Sequence, residues 1–157
     1  MTRYIRTENA PTPGAYSQAV VIDPALYNLV FLAGQTANTP GVEDEPVVSG
    51  GIFQQTMQTL YNILAVVKTA GGNANHIVEL KVFLKDSEGV GEERHKARIA
   101  VKEKFDRAYE YFFKTHGRTK KDGNLPARTL VWVSELPLPD EDTLVEITAV
   151  AAVPKAK

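Results

Sequence analysis

The chain has 157 residues, of which 43% are hydrophobic and 24% are charged, a length and composition typical of one globular domain with its own core. Its formal net charge of −1 gives no electrostatic footprint for nucleic acid or an anionic membrane, and the lack of cysteine excludes disulfides, thiolate nucleophiles and cysteine-based metal sites. Neither a secretory signal nor an apolar run of membrane-spanning length is visible, so we expect a single domain over residues 1–157, located in the cytoplasm.

The first predicted elements are two short strands. Residues 18–22 form the first strand, residues 29–35 form the second, and the Asp-Pro sequence at 23–24 predicts the turn that joins them. We therefore expect the two strands to pair as a hairpin. The polar segment 36–49, which contains two prolines, is predicted to be a loop.

A helix and a third strand follow. Ser49 is the expected N-cap of the helix, and Gly71 and Gly72 are expected to end it. The helix is indicated by apolar residues that recur every three or four positions, namely Phe53, Met57, Leu60, Ile63, Leu64 and Val67. Residues 76–86 alternate as a strand does, with one face formed by Val78, Leu80, Val82 and Leu84 and the other by Ile77, Glu79, Lys81, Phe83 and Lys85.

The second half of the chain predicts a longer helix and two closing strands. The helix covers about residues 92–116, and its apolar stripe contains Ala97, Val101, Phe105, Ala108, Tyr109 and Phe112. The basic sequence at 118–121 is expected to be a solvated loop, and the acidic sequence at 139–142 is expected to be a turn. Residues 125–133 and 143–153 are the closing strands.

The element order β-β-α-β-α-β-β predicts a two-layer α+β fold, with two amphipathic helices on one face of a mixed sheet. Both closing strands are largely apolar on both of their faces, so the helices leave one apolar sheet face uncovered. Self-association through this face is the economical explanation, and strong β-propensity in an edge strand is the alternative.

Common catalytic and metal-binding motifs do not occur in the sequence. The three histidines, His76, His95 and His116, form no i, i+4 pair and no HExxH motif, so no metal site is expected. The sequence also lacks GxSxG, GxGxxG and phosphate-binding glycine loops. The aromatic residues at 109–113 have helical spacing and are expected in the core.

Each closing strand carries one charge among apolar residues, Arg128 in the first and Glu146 in the second. Buried charges are costly unless they are paired or used for function. If the two strands are antiparallel neighbours, Arg128 and Glu146 lie near the same level, although their register stays open. Two interpretations follow: a structural ion pair, or a functional pair in which Arg128 binds a carboxylate and Glu146 orients water or transfers protons.

Seven blocks along the chain resemble, in order, those of the RidA/YjgF family of enamine/imine deaminases. The most specific block is LPARTLVWVSELP at 125–137, followed by LVEITAVA at 144–151. The others are APTPGAYSQAV at 10–20, VFLAGQ at 30–35, QQTMQTLYNILAVVKTAGG at 54–72, VELKVFLKD at 78–86 and AYEYFF at 108–113. The resemblance implies a chorismate-mutase-like fold and a homotrimer whose sheets pack into a central barrel, with active sites in clefts between subunits.

The resemblance also implies roles for individual residues. The arginine of the P-A-R block, Arg128, would bind the substrate carboxylate. The glutamate of the V-E-I block, Glu146, would position the hydrolytic water and shuttle protons. Tyr16 would line the substrate pocket, while Gly34 and Leu130 would present backbone groups to the ligand.

Three positions depart from the common family pattern. Leu130 stands where many members carry cysteine, Ala33 replaces the serine of a Ser-Gly-Gln turn in the substrate pocket, and Asp106 replaces a common asparagine. Since the arginine and the glutamate are intact, the chemistry should be kept, whereas the altered pocket bears on the choice of substrate. Longer loops at 36–49 and 114–124 indicate a subgroup with a modified rim, such as the 2-aminomuconate deaminases of aromatic catabolism.

The expected activity is the cofactor-independent hydrolysis of a 2-amino-2-enoate, or of its 2-imino acid tautomer, to a 2-oxo acid and ammonia. Two alternatives remain open. One is a non-catalytic or regulatory trimer that binds small carboxylates through Arg128, and the other is a purely structural trimer in which Arg128 and Glu146 form an ion pair. The expected partners are the small-molecule substrate and two further copies of the chain, with neither nucleic acid nor membrane.

Overall fold

The structure, a computed structural model, describes residues 2–11, 14–137 and 142–156. The strands are β1 (Arg3–Ile5), β2 (Ala19–Val21), β3 (Tyr27–Gln35), β4 (Ile77–Lys85), β5 (Ala127–Val133) and β6 (Val145–Pro154). The helices are α1 (Ile52–Thr69) and α2 (Gly91–Thr115), and a short 3-10 helix (Ala74–His76) precedes β4. The turn predicted at 139–142 lies, apart from Asp142, outside the described residues.

A mixed four-stranded sheet in the order β3-β6-β4-β5 forms one layer, and the two helices pack on one of its faces as the second layer. Strands β4 and β5 are parallel, whereas β6 is antiparallel to both of its neighbours. The core between the layers joins aliphatic residues of α1 and the sheet to aromatic residues of α2, among them Leu60, Leu80, Ile147, Phe105 and Phe112. The expected two-layer α+β architecture is confirmed.

The predicted hairpin between residues 18–22 and 29–35 is wrong. The Asp-Pro turn does form, since the backbone N–H groups of Ala25 and Leu26 both donate to Asp23. The strands on its two sides nevertheless join different sheets: β2 pairs with β1, and β3 pairs with β6. The nine-residue β3 gains a longer ladder and more cross-strand packing on β6 than the three-residue β2 could offer.

The two predicted helices are confirmed with shifted ends. Helix α1 begins at Ile52, and its N-cap is Gly51 where Ser49 was expected. It ends before Gly71, whose φ of +83° is the left-handed conformation that terminates many helices. Helix α2 buries the expected stripe from Phe105 onward.

The alternation predicted for β4 is confirmed from Leu80 onward, with Leu80, Val82 and Leu84 buried. The face assigned to Ile77 is wrong, because this residue is fully buried. A register shift between Ile77 and Glu79 interrupts the pairing with β6. Such a bulge breaks the two-residue period, so residues before it exchange faces.

The closing strands are not neighbours, because β4 lies between them. Arg128 lies opposite Leu80, whereas Glu146 lies opposite Phe83, three residues further along β4. From typical rises and strand spacings, their backbones are about 14 Å apart. Arg128 shares the helix-covered face with the buried Leu80, and Glu146 lies on the opposite face. The interpretation of Arg128 and Glu146 as an ion pair within one chain is therefore wrong.

The sheet face opposite the helices, called here the outer face, carries uncovered apolar side chains. Leu29, Phe31 and Val131 are 44%, 75% and 40% exposed on this face. The uncovered face predicted from the sequence is present, although polar side chains such as Lys81 and Thr148 interrupt it. Exposed apolar patches of this kind are typical of surfaces that pack against another chain.

Within the residues described, neither helix is both long and apolar enough to cross a membrane.

Arg118, predicted to lie in a solvated loop, is buried and connects four segments. Its guanidinium donates to the carbonyl oxygens of Asn124, Ala74 and Ile77 at 2.8 Å each and to the Tyr4 hydroxyl at 3.1 Å. Burial lowers the pKa of Arg118, but these four acceptors satisfy the charged donors. The prediction was wrong because a basic run of residues does not reveal which carbonyl groups meet it in the fold.

Replacing Arg118 by Met should destabilise the fold. Methionine has a side chain of similar length, but it cannot donate hydrogen bonds to the three carbonyl oxygens and the Tyr4 hydroxyl. We expect a loss of about 3–5 kcal/mol in the free energy of unfolding, because several buried acceptors lose their donor and each unsatisfied group costs about 1–3 kcal/mol. Denaturant unfolding measures this change. Lys120→Met, at an exposed position of the same loop, is the matched control and should change stability by less than about 0.5 kcal/mol. Equal stability of the two variants would contradict the role of Arg118.

Candidate active site

Arg128 lies on the terminal strand β5 with its side chain enclosed by aromatic rings. The side chain is only 3% exposed. Its guanidinium carbon lies 5.1 Å from the ring centre of Tyr16, 5.4 Å from that of Phe105 and 4.7 Å from that of Tyr109. The negative faces of aromatic rings attract a cation, and the attraction is stronger where water is excluded. The rings therefore offset part of the cost of removing Arg128 from water.

Asp106 of α2 is the ionic partner of Arg128. Arg128 Nη1 lies 2.9 Å from Asp106 Oδ1, and the other carboxylate oxygen, Oδ2, lies 2.5 Å from Lys102 Nζ. Within the described part of the chain, however, neither Arg128 Nη1 nor Asp106 Oδ1 has a partner in hydrogen-bond geometry. A buried charged donor without a hydrogen bond is costly. The guanidinium is thus held in place while its Nη1 group stays buried and unsatisfied by the described residues of one copy.

Tyr16 is positioned by the docking of an N-terminal segment against β5. Ser17 forms a parallel bridge to Ala127, and its hydroxyl donates to the carbonyl oxygen of Leu125 at 2.6 Å. Ser17 is buried, whereas Tyr16 before it turns its ring towards Arg128. The Tyr-Ser sequence therefore serves two purposes: the serine fixes the segment, and the tyrosine contacts the guanidinium.

Tyr109 contributes the ring nearest to Arg128 and is fully buried, as the sequence predicts. Burial raises the pKa of the Tyr109 hydroxyl, and the nearby Arg128 and Arg118 cations oppose that rise only in part. Among the residues described, the hydroxyl has no hydrogen-bond partner. Tyr109 therefore presents a neutral ring to the guanidinium.

Glu146 and Gly34 form a separate group at the junction of β3 and β6. A Cβ atom at Gly34 would lie 1.9 Å from Glu146 Oε1, so the carboxylate lies directly over the glycine. A register shift between Leu32 and Gln35 displaces this part of β3 from regular pairing. The Gln35 side chain donates to the carbonyl oxygens of Ala33 at 3.5 Å and Gly34 at 3.3 Å. The Gly-Gln sequence thus makes room for the carboxylate and orders the end of β3 beside it.

The structure divides the predicted site residues of one copy into two groups. The first group is Tyr16, Arg128 and Leu130, and the second is Ala33, Gly34 and Glu146. Leu130 follows Arg128 by two residues, shares its face and packs against the core. The two groups lie on opposite sides of the sheet, so one copy does not bring them together.

The sequence did not predict the contact between Asp106 and Arg128, because Asp106 stood out there only as a departure from the common family pattern. A signal was present, since Phe105, Asp106 and Tyr109 lie within about one turn of α2 and all three contact Arg128. In the part of the chain that the structure describes, no group of three or more His, Asp or Glu residues could hold a metal ion.

The sequence matches the model of the Endoribonuclease L-PSP family over residues 7–153. It is 36% identical to a RutC family protein from Pyrococcus horikoshii over 152 residues, which cover 96% of this chain and 98% of that protein. It is 32% identical to 2-iminobutanoate/2-iminopropanoate deaminase from Escherichia coli K12, with the same coverage of the two chains. The crystal structure of the Escherichia coli YjgF gene product is similar with a TM-score of 0.62 and 31% identity, covering 96% of this chain and 98% of that one.

Gly34→Ala should displace the Glu146 carboxylate without unfolding the chain. The added Cβ meets the flexible end of the glutamate, and we expect stability to fall by less than about 1 kcal/mol. A crystal structure of the variant should show Glu146 in another rotamer. Gly14→Ala is the matched control, because among the described residues its Cβ would meet only Tyr16 Cε1, at 4.0 Å. A Glu146 side chain that stays in place in Gly34→Ala would refute the close contact.

Proposed function

The chain belongs to the Endoribonuclease L-PSP (RidA/YjgF) family, and on this premise we propose that it is a cofactor-independent deaminase. Its substrates are 2-imino acids and the 2-amino-2-enoates that tautomerise to them, and its products are 2-oxo acids and ammonia. The relative named 2-iminobutanoate/2-iminopropanoate deaminase supports this substrate class. The observation that carries the proposal is the Arg128 guanidinium, which is almost fully buried and whose Nη1 group has no hydrogen-bond partner among the described residues.

In this proposal Arg128 binds the substrate carboxylate. A guanidinium presents a planar fork that matches the two oxygen atoms of a carboxylate. Tyr16, Phe105 and Tyr109 surround the guanidinium and restrict its rotation. Because the imine carbon is bonded directly to the carboxylate, holding the carboxylate also fixes the atom that water attacks.

Glu146 acts on the water that adds to the imine. As the oxygen attacks C2 of the protonated imine, Glu146 accepts a water proton and a tetrahedral carbinolamine forms. The carboxyl group returns this proton to the amino group and ammonia leaves. The hydroxyl then loses its own proton to solvent water, and C2 becomes the carbonyl carbon of the 2-oxo acid. Because imines hydrolyse readily in water, the required acceleration is modest and needs no nucleophilic side chain.

A complete site needs two copies of the chain. In one copy the sheet separates Arg128 from Glu146, whose backbones are about 14 Å apart. This separation supports a site shared between copies, and with the family resemblance we propose a homotrimer in which the Arg128 group of one copy meets the Glu146 group of the next. The exposed Leu29 and Phe31, which lie on β3 near Gly34, support packing of the outer faces against one another.

We propose 2-aminomuconate as the alternative substrate to 2-iminobutanoate, because the long segment 36–49 begins beside the Glu146 group. The side-chain amide of Asn62 donates to the carbonyl oxygens of Thr36 and Asn38 at 3.0 and 2.9 Å, which ties this segment to α1. The segment is thus an ordered rim that begins two residues after Gly34. Comparing the turnover of 2-aminomuconate with that of 2-iminobutanoate tests this choice of substrate.

A non-catalytic trimer that binds small carboxylates through Arg128 is the alternative, because the same guanidinium supports it. Ammonia release from freshly generated 2-iminobutanoate distinguishes the enzyme from the binder. Thermal stabilisation by pyruvate without any ammonia release would favour the binder. The net charge of −1 does not favour RNA as a substrate, since RNA affinity depends on cations that neutralise phosphates.

Arg128→Lys should lower kcat/KM for 2-iminobutanoate by about ten- to a hundredfold, because lysine keeps the charge but gives up the planar fork. This corresponds to about 1.5–3 kcal/mol, the strength of a charge-assisted hydrogen bond. The variant should retain the oligomeric state of the wild type. Arg107→Lys, at an exposed position on α2, is the matched control and should behave as the wild type. Normal turnover of Arg128→Lys with a lowered melting temperature would show that Arg128 is only structural.

A further inference from the structure

Asp106 places a carboxylate of the protein on the guanidinium that the proposed function assigns to the substrate. Its Oδ1 lies 2.9 Å from Arg128 Nη1, and its side chain is 24% exposed. A carboxylate ligand that binds Arg128 must therefore approach a second negative charge. Two carboxylates that contact the same guanidinium repel each other, most strongly where water is excluded. The contact between Asp106 and Arg128 must therefore lower the affinity of Arg128 for any anion.

The contact between Asp106 and Arg128 depends on charge more than on a directed bond. Although the two atoms are 2.9 Å apart, neither has a partner in hydrogen-bond geometry within the described residues. A guanidinium has five N–H donors in a fixed plane. A ligand carboxylate that binds the guanidinium therefore has no directed hydrogen bond between Asp106 Oδ1 and Arg128 Nη1 to break first.

Lys102 weakens the attraction between Asp106 and Arg128, because it binds the same carboxylate. It lies one turn before Asp106 on α2, and its Nζ lies 2.5 Å from Asp106 Oδ2. Asp106 is thus shared between two cations, and the three side chains together carry one positive charge. Removing Lys102 would leave Asp106 with Arg128 alone.

We propose that Asp106 is a positioning residue that acts as a resident counter-ion of Arg128. In the ligand-free protein it holds one side of the guanidinium and directs the remaining donors to the substrate. In the complex it repels the bound carboxylate and so promotes release of the 2-oxo acid, which carries the same carboxylate as the substrate. This inference rests on the proposed function, because it requires Arg128 to be the carboxylate site.

Asp106→Asn should bind pyruvate at least fivefold more tightly than the wild type, because the amide keeps the shape of the side chain and removes the competing charge. Isothermal titration at low ionic strength measures the Kd. Inhibition of turnover by pyruvate should strengthen by a similar factor, with a fall in kcat as product release slows. Glu103→Gln makes the same charge change at an exposed position of α2 and should stay within twofold of the wild type.

Lys102→Met should have the opposite effect, because Asp106 then pairs with Arg128 alone. We expect pyruvate to bind at least fivefold more weakly. Lys104→Met, an exposed lysine on the same helix, is the matched control and should stay within twofold of the wild type. Melting temperatures of all four variants, measured on the same preparations, verify that each chain is folded.

Pyruvate binding to Asp106→Asn that is unchanged or weaker would overturn the proposal and leave Asp106 as a structural partner of Arg128. Equal effects of Asp106→Asn and Glu103→Gln would overturn it as well, because general electrostatics would then suffice. Failure of the proposed function gives a different pattern. In that case the wild type itself binds no pyruvate, Arg128→Lys changes nothing, and the counter-ion role falls together with the carboxylate site.

Discussion

The candidate site can form only if the fold offsets the cost of removing the Arg128 cation from water. Arg128 keeps 3% of its side chain exposed, and an isolated buried charge would cost several kcal/mol. The fold offsets this cost with contacts from three parts of the chain: Tyr16 from the N-terminal segment, Phe105 and Asp106 from α2, and the neighbouring strand β4. Each of these parts must dock correctly before the cation is stable, so formation of the site is coupled to packing of the whole chain.

The position of β4 between the closing strands determines the rest of the site. It separates Arg128 from Glu146 and places them on opposite faces of the sheet. The same arrangement leaves Glu146 beside Gly34 on the face that exposes Phe31. Assembly of several copies therefore explains two features at once. It can bury the uncovered apolar surface, and it can bring Arg128 of one copy to Glu146 of another.

Local patterns in the sequence predicted the features that depend on nearby residues. The periods of apolar residues located both helices and the strands of the main sheet, and the two charges in apolar strands singled out Arg128 and Glu146. Features that depend on distant residues were missed or wrong. The partner of β2, the insertion of β4, the burial of Arg118 and the contact of Asp106 with Arg128 all join segments far apart in sequence. Neither periodicity nor composition records such contacts.

In the proposed assembly Arg128 of one copy and Glu146 of another form one catalytic site, and subunit exchange distinguishes this shared site from one built within a single copy. Arg128→Lys and Glu146→Gln are prepared separately as poorly active proteins and mixed in equal amounts until mass spectrometry shows random exchange. In the proposed trimer, about three quarters of the assemblies then contain both variants and each of these regains one of three sites, so about a quarter of wild-type ammonia release should return. Exchange of Arg128→Lys with the double variant is the control and should restore nothing. Complete exchange of the two single variants with no recovery of activity would show that Arg128 and Glu146 of different copies do not share a site.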